Sequence, residues 1–141
     1  MNAGKTTIRG VPTDQHGNAT GNQWDLAQDG GFLGHSIVVL HLYTGDNFDF
    51  VKPTDALRKK GFKVIRFENK PPPLNEFKSV LAQASQLWII SSKSVVLSTD
   101  HIKAIREFFD SGKGIYIWGD NTPFHADANQ LLSELFSSSM A

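Results

Sequence analysis

The sequence predicts an α/β domain: a three-layer sandwich in which helices cover a mainly parallel sheet of about four strands. Two observations predict this class. Four apolar segments of strand length alternate along the chain with four segments that carry apolar residues at helical spacing. The first strand segment, residues 36–42, is apolar at nearly every position, as expected for a strand buried on both faces. Such alternation implies right-handed crossovers between parallel strands.

The other predicted strands are short and cover residues 62–67, 86–91 and 115–118. In the second of the four strands, Phe62 and Val64 alternate imperfectly with Lys63 and Arg66. Imperfect alternation indicates a strand that is not buried on both faces. We therefore expect this strand at an edge of the sheet.

The helices are predicted from apolar spacing and from stop signals. The first covers residues 53–60, with Pro53 at a first helical position and Gly61 after its end. The second carries an apolar stripe from Leu74 to Ala84, and the third begins near Ser98. The fourth covers residues 126–136. The core-facing residues expected on the third and fourth helices are Ile102, Ile105, Phe109, Leu131, Leu132, Leu135 and Phe136.

The predicted strand order is 2-1-3-4, as in the first four strands of a flavodoxin-like sheet. In such sheets ligands bind outside the carboxyl ends of the strands, near the switch between strands one and three. The loops that leave this edge cover residues 43–50, 91–96 and 119–125. We call this edge the rim, and we expect the functional residues there.

Composition narrows the classes of partner. Lys and Arg number 14, as do Asp and Glu, so the net charge is zero and no nucleic-acid partner is expected. The absence of cysteine excludes disulfides, thiolate catalysis and Cys-ligated zinc. No signal peptide or membrane-spanning apolar run is visible, which predicts a cytoplasmic protein without a membrane partner. The sequence requires no cofactor and leaves the identity of any cofactor unknown.

The N-terminal quarter of the chain differs from the rest. It is rich in Gly, Asn, Gln, Thr and Asp, with scattered apolar residues such as Trp24 and Phe32. We predict a polar N-terminal arm over residues 1–34, which either is extended and packs on the domain through these two aromatic residues or is partly disordered. The α/β domain itself then covers residues 35–141.

Two rim loops share the tripeptide Gly-Asp-Asn, with Asp46 and Asn47 after strand one and Asp120 and Asn121 after strand four. A pair of carboxylates at one rim could bind a hard metal ion or share general acid–base duty. Alternatively, these are ordinary turn residues, because Asp and Asn side chains bond the local backbone. Strands one and four are also roughly 10 Å apart in the predicted order, which is too far for one small ion without help from strand three.

Other rim residues offer weaker signals. Ser91 and Ser92 could hold a phosphate or carboxylate, or could belong to a plain polar loop. His125 could act as a general base beside Asp120, or could be a solvated residue at a helix start. The aromatic residues after strand one could line a pocket or a partner surface, or could cap the core; they are Tyr43, Phe48 and Phe50.

The segment 108–128 (FFDSGKGIYIWGDNTPFHADA) resembles the class I glutamine amidotransferase-like superfamily, which includes ThuA-like and intraflagellar-transport-type domains. The shared pattern is a helix, a Gly-rich turn, a short apolar strand, a sharp elbow at residues 119–121 and another helix. In active glutaminases of this superfamily the elbow carries a nucleophilic Cys, activated by a later His–Glu pair. This chain has no Cys and ends one helix after the elbow, so the resemblance implies a member without glutaminase activity.

These observations support three hypotheses. The first is a non-catalytic amidotransferase-like domain that binds a small polar ligand or a protein partner at the rim, with a homodimer or protein contact through a sheet edge or helix face. The second is a metal-assisted hydrolase that uses Asp46 and Asp120 with His125. The third, from fold analogy alone, is nucleotide or flavin binding at Thr44, Gly45 and Asn47.

Overall fold

The computed structural model describes residue 15, residues 29–45 and residues 49–140. Within these residues four strands alternate with four helices. The elements are β1 (Ser36–His41), α1 (Val51–Lys59), β2 (Lys63–Glu68), α2 (Leu74–Gln83), β3 (Gln86–Ile90), α3 (Thr99–Asp110), β4 (Gly114–Trp118) and α4 (Ala126–Phe136). All pairings are parallel and the order is β2-β1-β3-β4. The predicted α/β class, strand order and edge position of β2 are confirmed.

One face of the sheet is covered by three helices. Their buried residues meet the alternate side chains of β1 and β3, such as Val38 and Leu87, in one large apolar cluster. The contributors from α2, α3 and α4 are Phe77, Leu81, Ile102, Ala104, Ile105, Phe108 and Leu131. This face holds most of the core, as expected where amphipathic helices pack on a sheet.

The opposite face is covered by α1 and by the segment 29–35. Here the core is small and includes Ile37, Val39 and Ile90 from the sheet, with Phe50 and Phe62 from the two ends of α1. No α1 residue is itself buried. The face of the sheet under α2, α3 and α4 is therefore buried far more completely than the face under α1.

The described end of the predicted N-terminal arm packs beside α1. Phe32 stacks on Phe62 with ring centroids 4.5 Å apart, and the Gly30 amide donates to the Lys59 carbonyl at 3.0 Å. Gly61 permits this approach: its φ is +104°, and a Cβ there would lie 2.7 Å from the Leu33 backbone nitrogen. Trp24 and most of residues 1–28 lie outside the described residues, so the arm as a whole stays a prediction.

Three details of the predicted helices are wrong. Helix α1 begins at Val51, whose amide donates to the Asp49 carboxylate at 2.8 Å, so Pro53 is its third residue. Proline is tolerated there because the first-turn amides need no intrahelical partner. On α3, Phe108 is buried and Phe109 is only half-buried.

The third difference concerns the end of α4. Phe136, predicted to face the core, is 53% exposed, and its ring stands nearly perpendicular to that of Phe109, with the centroids 5.4 Å apart. The buried stripe of α4 runs through Ala128 and Leu131, and Phe136 falls off this stripe because successive helical residues are about 100° apart. Leu132 and Leu135 are half-buried beside it.

None of the helices in the described part of the chain is both long and apolar enough to cross a membrane.

Candidate functional site

A pocket of about 130 Å³ lies at the rim, where β3 and β4 end. It is lined by Tyr43, Ile90, Ser91, Trp118, Asp120 and Phe124. Ile90 and Trp118 are register partners, so both side chains lie on the α1 face of the sheet. The predicted strand order indicated this rim as the place for a site. Two of the six lining residues, Ser91 and Asp120, were predicted site residues.

The aromatic rings that form the pocket come from three loops and strand ends. Tyr43 follows β1, and its ring lies 4.9 Å from that of Phe124 in the loop after β4. Gly45 allows this position, because a Cβ there would overlap the Tyr43 hydroxyl. Trp118 ends β4 and is 42% exposed. The sequence indicated Tyr43 as a candidate pocket residue but gave no signal for Phe124 or Trp118.

Asp120 lies at the mouth of this pocket and is exposed. Its Oδ1 accepts from the Asn121 amide at 2.7 Å, and its own amide donates to the Phe124 carbonyl at 3.0 Å. The Phe124 amide in turn donates to the Asn121 carbonyl at 2.8 Å. Asp120 therefore makes the local backbone bond of the turn-residue alternative, and it is also one of the residues that line the pocket.

Two side chains approach the glycine before this turn closely. A Cβ at Gly119 would lie 2.5 Å from Met140 Sδ and 3.0 Å from His125 Cβ. The Met140 amide also donates to Asn129 Oδ1 at 2.6 Å. The C-terminal segment thus folds back against the elbow at residues 119–121.

His125 is held at both ring nitrogens. Asn129 Oδ1 accepts from Met140, so the Asn129 amide nitrogen is the group that donates to His125 Nδ1, at 3.1 Å. The neutral ring then carries its proton on Nε2, which donates to Thr122 Oγ1 at 3.1 Å. Both ring nitrogens of His125 therefore have partners on neighbouring side chains, and its role as a general base beside Asp120 stays a prediction.

Ser91 and Ser92 lie together at the end of β3, and both bond the start of α4. Buried Ser91 accepts from the Ala128 amide at 3.1 Å through its hydroxyl, and the Ser92 carbonyl accepts from the Ala126 amide at 3.2 Å. The residue at the N-cap position of α4, His125, makes no side-chain cap bond. Ser91 therefore supplies the acceptor that a helix start needs, from another part of the chain.

Asp127 is the buried carboxylate that the sequence analysis missed. Its Oδ1 accepts from the Val96 and Leu97 amides, each at 2.9 Å, and its Oδ2 has no hydrogen-bond partner within the described residues. Burial raises the pKa of Asp127, although the two backbone amides act in the opposite direction. The available signal was an acid in the first turn of a helix that follows the rim. Asp127 joins α4 to the loop after β3.

A second buried polar group lies below the rim on β1. His41 is fully buried, and the Arg66 guanidinium donates to its Nδ1 at 3.2 Å. Burial, helped by the charge of Arg66, lowers the pKa of His41, while Glu68 opposes the shift. This group stabilises the junction of β1 and β2 and does not line the rim pocket.

Asp46 and Asn47 lie outside the described residues, as does Phe48. Phe50, the other aromatic candidate, is buried in the core. On the neighbouring residues, the Thr44 hydroxyl donates to Asn69 Oδ1. Nowhere in residues 29–45 and 49–140 do three or more His, Asp or Glu side chains gather as a metal-binding group. The hydrolase hypothesis therefore depends on Asp46, and it stays a prediction.

Comparisons with protein-family models, with curated proteins and with solved structures found no match to this chain. The resemblance to the amidotransferase-like superfamily accordingly stays a prediction, and the function is argued from the pocket itself.

Proposed function

We propose that this chain is a non-catalytic binding domain whose rim pocket takes a small ligand with one planar apolar ring and a positively charged or hydrogen-bond-donating group. The observation that carries the proposal is the combination of three aromatic rings with one exposed carboxylate in a single pocket. The rings belong to Tyr43, Trp118 and Phe124, and the carboxylate to Asp120.

Each part of the pocket selects one part of the ligand. Aromatic walls attract a planar ring and also a cation above a ring face, an interaction of about 0.5–2 kcal/mol. The carboxylate of Asp120 adds a charged acceptor, whose bonds are stronger than neutral ones. The volume of about 130 Å³ resembles that of cavities of ~150 Å³ that hold benzene, so the pocket suits a single ring.

The polar side chains around the pocket support a binding role without catalysis. Ser91 caps α4, His125 is bonded at both nitrogens, and Asp127 accepts from two backbone amides. A nucleophile needs a base within hydrogen-bond reach, in a geometry that leaves the nucleophile open to substrate. These three side chains are instead used to hold the loops around the pocket.

The test is a titration with benzylamine, which is cationic at neutral pH, and with benzyl alcohol, its neutral counterpart. Amide and indole NMR shifts locate the binding. We expect both to shift Trp118 and Phe124, with benzylamine bound several-fold more tightly. Asp120→Asn should remove that preference, and Asp110→Asn, which changes an exposed carboxylate on α3, should not.

Equal affinity for the two probes in the unchanged chain would remove the charge-selective part of the proposal. Shifts confined to residues away from the pocket would overturn the proposal entirely. Catalytic turnover of any ester or amide that Asp120→Asn abolishes would restore the hydrolase hypothesis.

A further inference from the structure

Strand β4 forms one edge of the sheet, and within the described residues the outward backbone groups of Ile115 and Ile117 pair with no further strand. The Gly114 amide donates to the Ser85 carbonyl at 3.4 Å, and the Ser91 amide donates to the Trp118 carbonyl at 2.8 Å. Even-numbered residues of β4 therefore bond to β3. In a parallel ladder the alternate residues, Ile115 and Ile117, point their N–H and C=O groups outward.

The side chains of this edge are apolar. The strand GIYIW has no charged residue, no proline and five regularly paired positions. Tyr116 is 54% exposed, and its ring lies 5.4 Å from Trp88 and 6.4 Å from Trp118. Proteins usually protect an edge strand with charges, proline or a bulge. β4 has none of these features, so its side chains do not oppose pairing with another strand.

We propose that two copies of this chain associate through antiparallel pairing of their β4 strands, centred on Tyr116. In this register Ile115 pairs with the partner's Ile117, and the outward backbone groups of both residues bond across the interface. Registers shifted by two residues leave part of each five-residue strand without a partner. The central register is the one that uses the whole strand.

The same register matches side-chain sizes across the interface. Trp118 would lie opposite the partner's Gly114, so the largest side chain faces the position with none. A Cβ added at Gly114 would meet only Gln86 Cγ, at 3.6 Å, so space is open there. Ile115 and Ile117 form matched β-branched pairs on the other face. A contact of this kind is isologous and closes as a twofold dimer.

The area that two copies would bury between them determines how tightly the dimer is expected to bind. Aromatic side chains bury about 150–250 Å² each, and about half of Tyr116 and Trp118 is already covered. The aromatic residues of two copies would add on the order of 400 Å², well below the ~1,200 Å² of a stable complex. We therefore expect a weak dimer, formed at high micromolar concentration.

The test uses the full chain and exploits its lack of cysteine. Residue 116 faces its own copy in a non-hydrogen-bonded pair, where Cα atoms are about 4.5 Å apart, within reach of a disulfide. Under mild oxidation Tyr116→Cys should form a covalent dimer many-fold faster than Leu33→Cys, a residue 77% exposed beside α1. Equal cross-linking rates would overturn the proposal.

Sedimentation from micromolar to millimolar concentration gives the second measurement. The unchanged chain should dimerise, Tyr116→Lys should stay monomeric, and Leu33→Lys should behave like the unchanged chain. Amide exchange at Ile115 and Ile117 should slow as the concentration rises. Slow exchange at both amides in a monomer at every concentration would mean that another segment of this chain pairs with β4, which overturns the proposal.

Discussion

The two edge strands of this sheet occupy equivalent positions and have opposite chemistry. β2 carries Lys63, Arg66 and Glu68, and its Arg66 and Glu68 form an ion pair at 2.8 Å. β4 carries no charge, and Tyr116 and Trp118 are exposed along it. Charges on an edge strand prevent further pairing, whereas an uncharged edge invites it. Within a single sheet, the charged strand β2 is therefore protected against further pairing, and the uncharged strand β4 lacks this protection.

The two halves of the molecule are also held together differently. The β2 side relies on a partly exposed ion pair between Arg66 and Glu68. The β4 side relies on the buried Asp127 carboxylate, which joins α4 to the loop after β3. Loss of a buried acceptor leaves its donors without partners, so the two sides should respond to mutation very differently. The following predictions test that contrast in order of decreasing effect on stability.

Asp127→Ala should have the largest effect. It leaves the buried amide of Leu97 and that of Val96 without their acceptor, and it opens a small cavity. We expect the free energy of unfolding to fall by about 2–4 kcal/mol. Urea denaturation measures this, and Asp110→Ala, at an exposed aspartate on α3, is the control. A loss no greater than that of the control would show that Asp127 does not hold α4 in place.

The pH dependence of stability should have opposite signs on the two sides. The pKa of Asp127 is raised by burial, so its contribution to stability is present below the ordinary aspartate pKa and is lost as pH rises through the raised value. The pKa of His41 is lowered by burial and by Arg66, so its contribution is present above the ordinary histidine value and is lost as pH falls.

Urea denaturation over a pH series measures both effects. The stability of the unchanged chain should fall as the pH rises from strongly acidic values and Asp127 ionises, and Asp127→Asn should remove this fall. His41→Gln should remove the fall in stability that occurs as the pH drops below about 6.5. Each variant is the control for the other. If both variants change the same part of the pH profile, the opposite signs assigned to the two groups are wrong.

Removing two of the three charges of β2 should change stability least and association most. The double substitution Lys63→Val with Glu68→Val breaks a partly exposed ion pair, which is worth about 0–1 kcal/mol. Arg66 is then the one charge left on this strand, and a weakly protected β2 edge beside the uncharged β4 edge should allow larger assemblies. Light scattering detects them. The matched control, Lys70→Val with Glu76→Val, removes the same charges outside the strands.

Much of the fold was predictable because local signals determine it. The apolar run of β1 and the charges of β2 indicated a central and an edge strand, and the flavodoxin-like alternation of strands and helices gave the order. The site was less predictable. Asp127 acts on amides 30 and 31 residues earlier in the chain, and no local pattern records that contact. Trp118 and Phe124 similarly become pocket residues only when Tyr43 is folded over them.

The segment 29–34 and Met140 pack at opposite ends of the strands. Gly30 bonds the last turn of α1, at the amino ends of the strands, whereas Met140 lies against Gly119 at their carboxyl ends. A five-residue strand separates these two poles by about 17 Å. Gly30 itself therefore lies at the end of the sheet opposite the pocket. A module fused directly after Met140 would lie beside the elbow at residues 119–121 and would crowd the pocket.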